Sequence, residues 1–159
     1  MPSNGHIPTT GTSAGRRAVV LALTVAYLAF VGYFTLGPVP WPTAANEAEN
    51  GVLSPATWAD TVTWTSGSPV EFVANIVMFI PVGLLLRGSF PRVPLLLVIA
   101  TTLALTVSIE VAQIPLERVS DPRDLVANTV GGAIGALFSN QLLRRPTASS
   151  SRPTLASQT

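Results

Sequence analysis

The sequence predicts an all-α protein, a four-helix transmembrane bundle with its N- and C-termini on the cytoplasmic side. Three observations predict it. Hydrophobic residues make up 48% of the chain and charged residues only 11%, with a mean hydropathy of +0.48. A soluble domain is usually about a quarter charged. Four stretches approach the length of about 20 apolar residues that a helix needs to cross ~30 Å of hydrocarbon. The arginines alternate with those stretches as the positive-inside rule requires. Composition also excludes chemistry. The 159 residues include no Cys, and the one histidine, His6, lies in a Ser/Thr/Gly/Pro tail. Disulfide scaffolds, zinc–thiolate sites and thiol catalysis are excluded outright, and the lone tail histidine gives Ser–His or His–metal chemistry nothing to build on. No metal, no cofactor and no nucleic-acid partner is expected.

Residues 1–17 read as a disordered cytoplasmic tail ending in Arg16-Arg17. The first span, 18–36, is uncharged. It is too long for a signal-peptide core, and Pro40 and Pro42 crowd the small-residue triplet Thr43-Ala44-Ala45, so it is expected to stay as an anchor. The external loop, 37–67, holds all three tryptophans, Trp41, Trp58 and Trp64. Ser54-Pro55 is a helix start that would place Trp58 and Val62 on one side of an interfacial helix.

The second span, 69–86, opens on Ser68-Pro69-Val70-Glu71: an N-cap, a proline at the first helical position and a first-turn acid. Pro81 with Gly83 frees a backbone carbonyl and predicts a kink. The third span, 94–114, carries Glu110 and Gln113 near its external end. The fourth, 122–143, contains Gly131-x-x-x-Gly135, a small-residue face for close helix packing. A second disordered tail, 144–159, follows. Arg16, Arg17, Arg87, Arg92, Arg144, Arg145 and Arg152 then face the cytoplasm, and every acid falls on the external half.

Two segments align at a shift of 53 residues. Ser68-Pro69-Val70-Glu71-Phe72-Val73-Ala74-Asn75 and Asp121-Pro122-Arg123-Asp124-Leu125-Val126-Ala127-Asn128 both read cap, Pro, any residue, acid, large apolar, Val, Ala, Asn. Duplication of a helical hairpin and convergence on a good helix start explain this equally well. In either case Asn75 and Asn128 lie about 10 Å along their helices, on the face of the first-turn acid. Glu110 and Gln113 come to a similar level from the third span. Polar groups at that depth turn inward or line a wet cavity. Asn75, Glu110, Gln113, Arg118, Asp121, Asp124 and Asn128 are therefore the expected ligand-binding set. Capping alone accounts for Glu71, Asp121 and Asp124, and for the two asparagines helix–helix hydrogen bonding is an equal alternative to ligand contact. Glu110 has no local capping duty, so Arg118 or Arg123 is its expected partner.

The pattern Asn75-x-x-x-Phe79-x-Pro81-x-Gly83, Ser108-x-Glu110-x-x-Gln113 and Arg118-x-x-Asp121-x-x-Asp124-x-x-x-Asn128-x-x-Gly131-x-x-x-Gly135 resembles the VanZ-like family of small bacterial membrane proteins. The resemblance covers roughly residues 20–143, and the stretch from Gln113 to Arg118 is one residue shorter than usual. It implies a multi-pass protein of the bacterial plasma membrane and a link to low-level resistance to the glycopeptide teicoplanin. It supplies no catalytic residues. The expected function is binding of a lipid, a cell-wall precursor or a glycopeptide at an outer-leaflet polar site, with room for an oligomer. The alternative is a membrane enzyme on a lipid-linked substrate, using Glu110 with Asp121 or Asp124 as acid and base. A transporter is disfavoured by the small bundle.

Overall fold

The computed structural model describes residues 11–38, 50–116 and 118–144. Trp41, most of both tails and residues 39–49 of the external loop lie outside these residues. The described chain is all helical: α1 (Gly11–Leu36), α2 (Pro55–Ala59), α3 (Thr61–Thr65), α4 (Pro69–Ser89), α5 (Leu95–Gln113) and α6 (Pro122–Arg144). Single 3-10 turns lie at Gly51–Leu53 and Ile114–Leu116.

Cross-helix contacts fix the directions. Tyr27 donates to the Met78 carbonyl at 2.8 Å, and the Thr24 and Ser89 hydroxyls meet at 2.8 Å, so α1 runs antiparallel to α4. Gln113 donates to the Thr35 carbonyl at 2.9 Å, bringing the C-terminal ends of α1 and α5 together. Asn128 donates to the Thr106 hydroxyl at 2.9 Å, and Gly132 lies on Thr102, so α6 runs back along α5. The ends of α1 and α5 and the beginnings of α4 and α6 therefore share one polar end of the molecule.

The closest approach is between α4 and α6. A Cβ on Gly131 would fall 2.2 Å from the Ile76 carbonyl oxygen, one on Gly135 1.9 Å from that of Ile80, and one on Gly83 1.8 Å from that of Gly132. Glycine at these places lets backbone meet backbone, as the small-residue face predicts. Phe79, Val82 and Val31 form the apolar centre beside this seam. Helix α4 continues through Pro81. Pro81 removes the N–H that would bond the Val77 carbonyl, and Tyr27 donates to the next carbonyl, that of Met78.

Three helical segments are long and apolar enough to cross a membrane: Ala14–Leu36, Pro69–Ser89 and Leu95–Leu116. The fourth expected span is a helix of sufficient length but lower hydropathy. It is not among the three, and its residues Asn128 and Ser139 are buried.

Two expectations are corrected at the edges. Helix α1 begins at Gly11, so residues 11–17 are helical and do not belong to a disordered tail. Once a helix is nucleated, each added residue gains a bond, and its start is not tied to the edge of an apolar window. The short loop helix ends at Ala59 because Asp60 caps a new one, accepting from the Val62 N–H at 2.9 Å. Trp58 and Val62 therefore sit on different helices. The indoles of Trp58 and Trp64 instead tie the segment together, donating to the carbonyls of Val52 (2.8 Å) and Trp58 (3.1 Å).

Candidate functional site

The polar end is built from two helix starts and a turn. At α4, Ser68 caps by accepting from the Glu71 N–H at 3.4 Å, and Pro69 occupies the first turn. At α6, Asp121 accepts from the Arg123 N–H at 2.8 Å. The turn before it is pinned by the external loop. Gly51 has φ +47° and lies so close to Ser120 that a Cβ would fall 2.4 Å from the serine Cβ, and the Val52 N–H donates to the Ser120 hydroxyl at 3.2 Å. Only glycine meets both demands at position 51.

Between the two starts lies a cleft of about 300 Å³ lined by Ser68, Glu71, Phe72, Ala74, Asn75, Arg118, Val119, Asp121, Arg123 and Asp124. A second cavity of about 330 Å³ opens between α2–α3 and the Val119–Pro122 turn. Val119 and Asp121 border both.

Of the seven expected binding residues, the cleft gathers Asn75, Arg118, Asp121 and Asp124. The Asn75 amide is within hydrogen-bonding reach of the Asp124 carboxyl. Glu110, Gln113 and Asn128 do not line it. They form a buried layer among the helices, at 1%, 7% and 2% exposure.

Glu110 departs from expectation in its partner. Its Oε2 accepts from the backbone N–H of Asp121 at 2.9 Å, and Arg118 turns away to donate to the carbonyls of Phe34 and Gly37 at the end of α1. In a capping box the acid at the third helical position reaches back to the N–H of the cap residue. Here α5 supplies that carboxylate from outside the helix, and Asp124, which holds the third position, faces the cleft. Glu110 does have a capping duty, for a helix other than its own. An acid–base role would require this enclosed carboxyl to reach a substrate. Among the described residues no group of three or more His, Cys, Asp or Glu side chains is arranged to hold a metal ion.

Arg123 lines the cleft beside Arg118, Asp121 and Asp124, the rim the sequence predicts. Other contributors were not in the expected set. Glu71 lines the cleft, and the 53-residue alignment already placed it opposite Asp124. Thr106 stands one turn before Glu110, and that spacing alone puts it on the same helix face. Nothing in the sequence marks Ser120.

Comparison with known proteins identifies the family. A profile of the VanZ/LLP1 family matches residues 24–144, which takes in the second half of α1, the loop helices and α4 to α6. Protein VanZ of Enterococcus faecium is 35% identical over 71 residues, covering 44% of each chain, so less than half of that relative's length is matched. No solved structure matches. With the family pattern spread over the helices that build the cleft, the chain belongs to the VanZ/LLP1 family.

Proposed function

We propose that this protein is a multi-pass component of the bacterial plasma membrane that binds an amphiphile headgroup in the cleft between the starts of α4 and α6. The occupant is a lipid, a cell-wall precursor or a teicoplanin-type glycopeptide. In this reading α1, α4, α5 and α6 all span the bilayer, both termini are cytoplasmic, and the cleft opens at the outer leaflet. The arginine distribution supports that orientation, since Arg16, Arg17, Arg87 and Arg92 all belong to the end opposite the cleft.

The observation that carries the reading is the cleft itself. It brings charged side chains from two helix starts and the turn before α6 around one open space. Below it Glu110 accepts from the Asp121 N–H, Gln113 donates to the Thr35 carbonyl and Asn128 to the Thr106 hydroxyl, while Gln113 Oε1 and Asn128 Oδ1 are buried without a partner among the described residues. The test pairs Asn75→Ala and Asp124→Asn with the unaltered protein, measuring the amount in the membrane and the teicoplanin susceptibility of the host. Normal amounts with altered susceptibility and altered co-purifying lipid support the reading. Normal amounts with neither property changed contradict it.

A further inference from the structure

The charges in the cleft specify the chemistry of its occupant; the inference rests on the binding reading above. Two guanidinium groups, of Arg118 and Arg123, share the cleft with three carboxylates, of Glu71, Asp121 and Asp124. Arginine and carboxylate brought this near usually close into a direct, often bidentate pair. Among the described residues no such pair forms. Arg118 and the two aspartates are drawn to other partners, and Glu71 is exposed. Arg118 is spent on the α1 carbonyls. Asp121 caps α6 and Asp124 stands against Asn75. Arg123 lies against the backbone of Gly67, where a Cβ would fall 1.0 Å from its Nη1, and over the Phe72 ring at 5.9 Å from the centroid. Its guanidinium, with five donors, makes no hydrogen bond to any described residue.

A simple anion entering this cleft meets three carboxylates, and a simple cation meets two guanidinium groups. A molecule carrying both signs satisfies both. We infer that the cleft takes a zwitterionic group, with an oxyanion on Arg123 and a primary ammonium against Asp124 and Glu71. Its volume of about 300 Å³ is at the small end for ligand sites, which suits a phosphoethanolamine-like or amino-acid-like group.

The test uses the full chain in nanodiscs holding equal phosphatidylethanolamine and phosphatidylglycerol, with retained lipid counted by native mass spectrometry. Phosphatidylethanolamine is expected to be held in clear excess. Arg123→Gln should lower its retention about tenfold, the worth of a charge-assisted hydrogen bond, and Arg123→Lys should restore part of it. The double change Glu71→Gln with Asp124→Asn should turn the preference toward phosphatidylglycerol. Displacement by free phosphoethanolamine identifies the headgroup as sufficient, and retention against it identifies the lipid as the ligand. Equal or greater retention of phosphatidylglycerol by the unaltered protein, or a ratio unmoved by the variants, overturns the zwitterion assignment while the cleft remains a binding site. Failure to retain any lipid or phosphoethanolamine, with susceptibility to glycopeptide unchanged in the same variants, overturns the binding reading as well.

Discussion

Ser68–Asn75 at the start of α4 and Asp121–Asn128 at the start of α6 share cap, proline, first-turn acid and asparagine, yet the structure uses them differently. At α4 the cap bond is long and exposed, Glu71 is exposed, and Asn75 is half-buried at the edge of the cleft. At α6 the cap is supported from α5 by Glu110, and Asn128 is buried and bonded to Thr106. The difference comes from neighbours, not from local code. Helix α5 supplies a polar inner face of Thr102, Thr106, Glu110 and Gln113 that α6 meets directly. One start is built into the fold and the other is left facing open space. Similar sequence signals can thus serve stability at one helix start and leave groups available for recognition at the other.

The comparison orders a set of substitutions. Glu110→Ala should cost most, about 3 kcal/mol or more, because it removes a buried hydrogen-bond acceptor from the Asp121 N–H and opens a void. Thermal unfolding in detergent measures it, and Glu110→Gln, which keeps an acceptor oxygen, should recover most of the loss. Asp121→Ala should cost about 1–2 kcal/mol as a lost helix cap. Asn128→Ala should cost about 1 kcal/mol, the range of a hydrogen bond between membrane helices, and Thr106→Val should add little to it because the two share one bond. Ser68→Ala should cost only about 0.5 kcal/mol, the low end for a cap. Asn75→Ala should leave stability unchanged and show itself in ligand retention. Equal destabilisation by Asn75→Ala and Asn128→Ala would break the comparison.

Much of the fold was legible because its signals are local. The Ser68-Pro69 start, the glycine face at Gly131 and Gly135, and the apolar length of the spans each follow from neighbouring residues. The start of α1 at Gly11 was not legible, since helix propagation outruns hydropathy. Neither was the break at Asp60, which depends on one side chain choosing to cap. For the candidate site, helical spacing put these side chains at one end of the molecule but could not divide them between cleft and buried layer. That division depends on which helix stands opposite, a long-range property. It is also why the partner of Glu110 was missed: the acceptor-seeking group was a backbone N–H eleven residues away, which leaves no trace in residue type.

The most direct test exploits the absence of cysteine from the natural chain. Asn75→Cys and Asn128→Cys, made singly, are exposed in intact cells to a small membrane-impermeant thiol reagent. The account predicts rapid labelling of Asn75→Cys from outside and no labelling of Asn128→Cys until the protein is denatured. Labelling of both at similar rates, or of Asn75→Cys only after the membrane is opened, would contradict it.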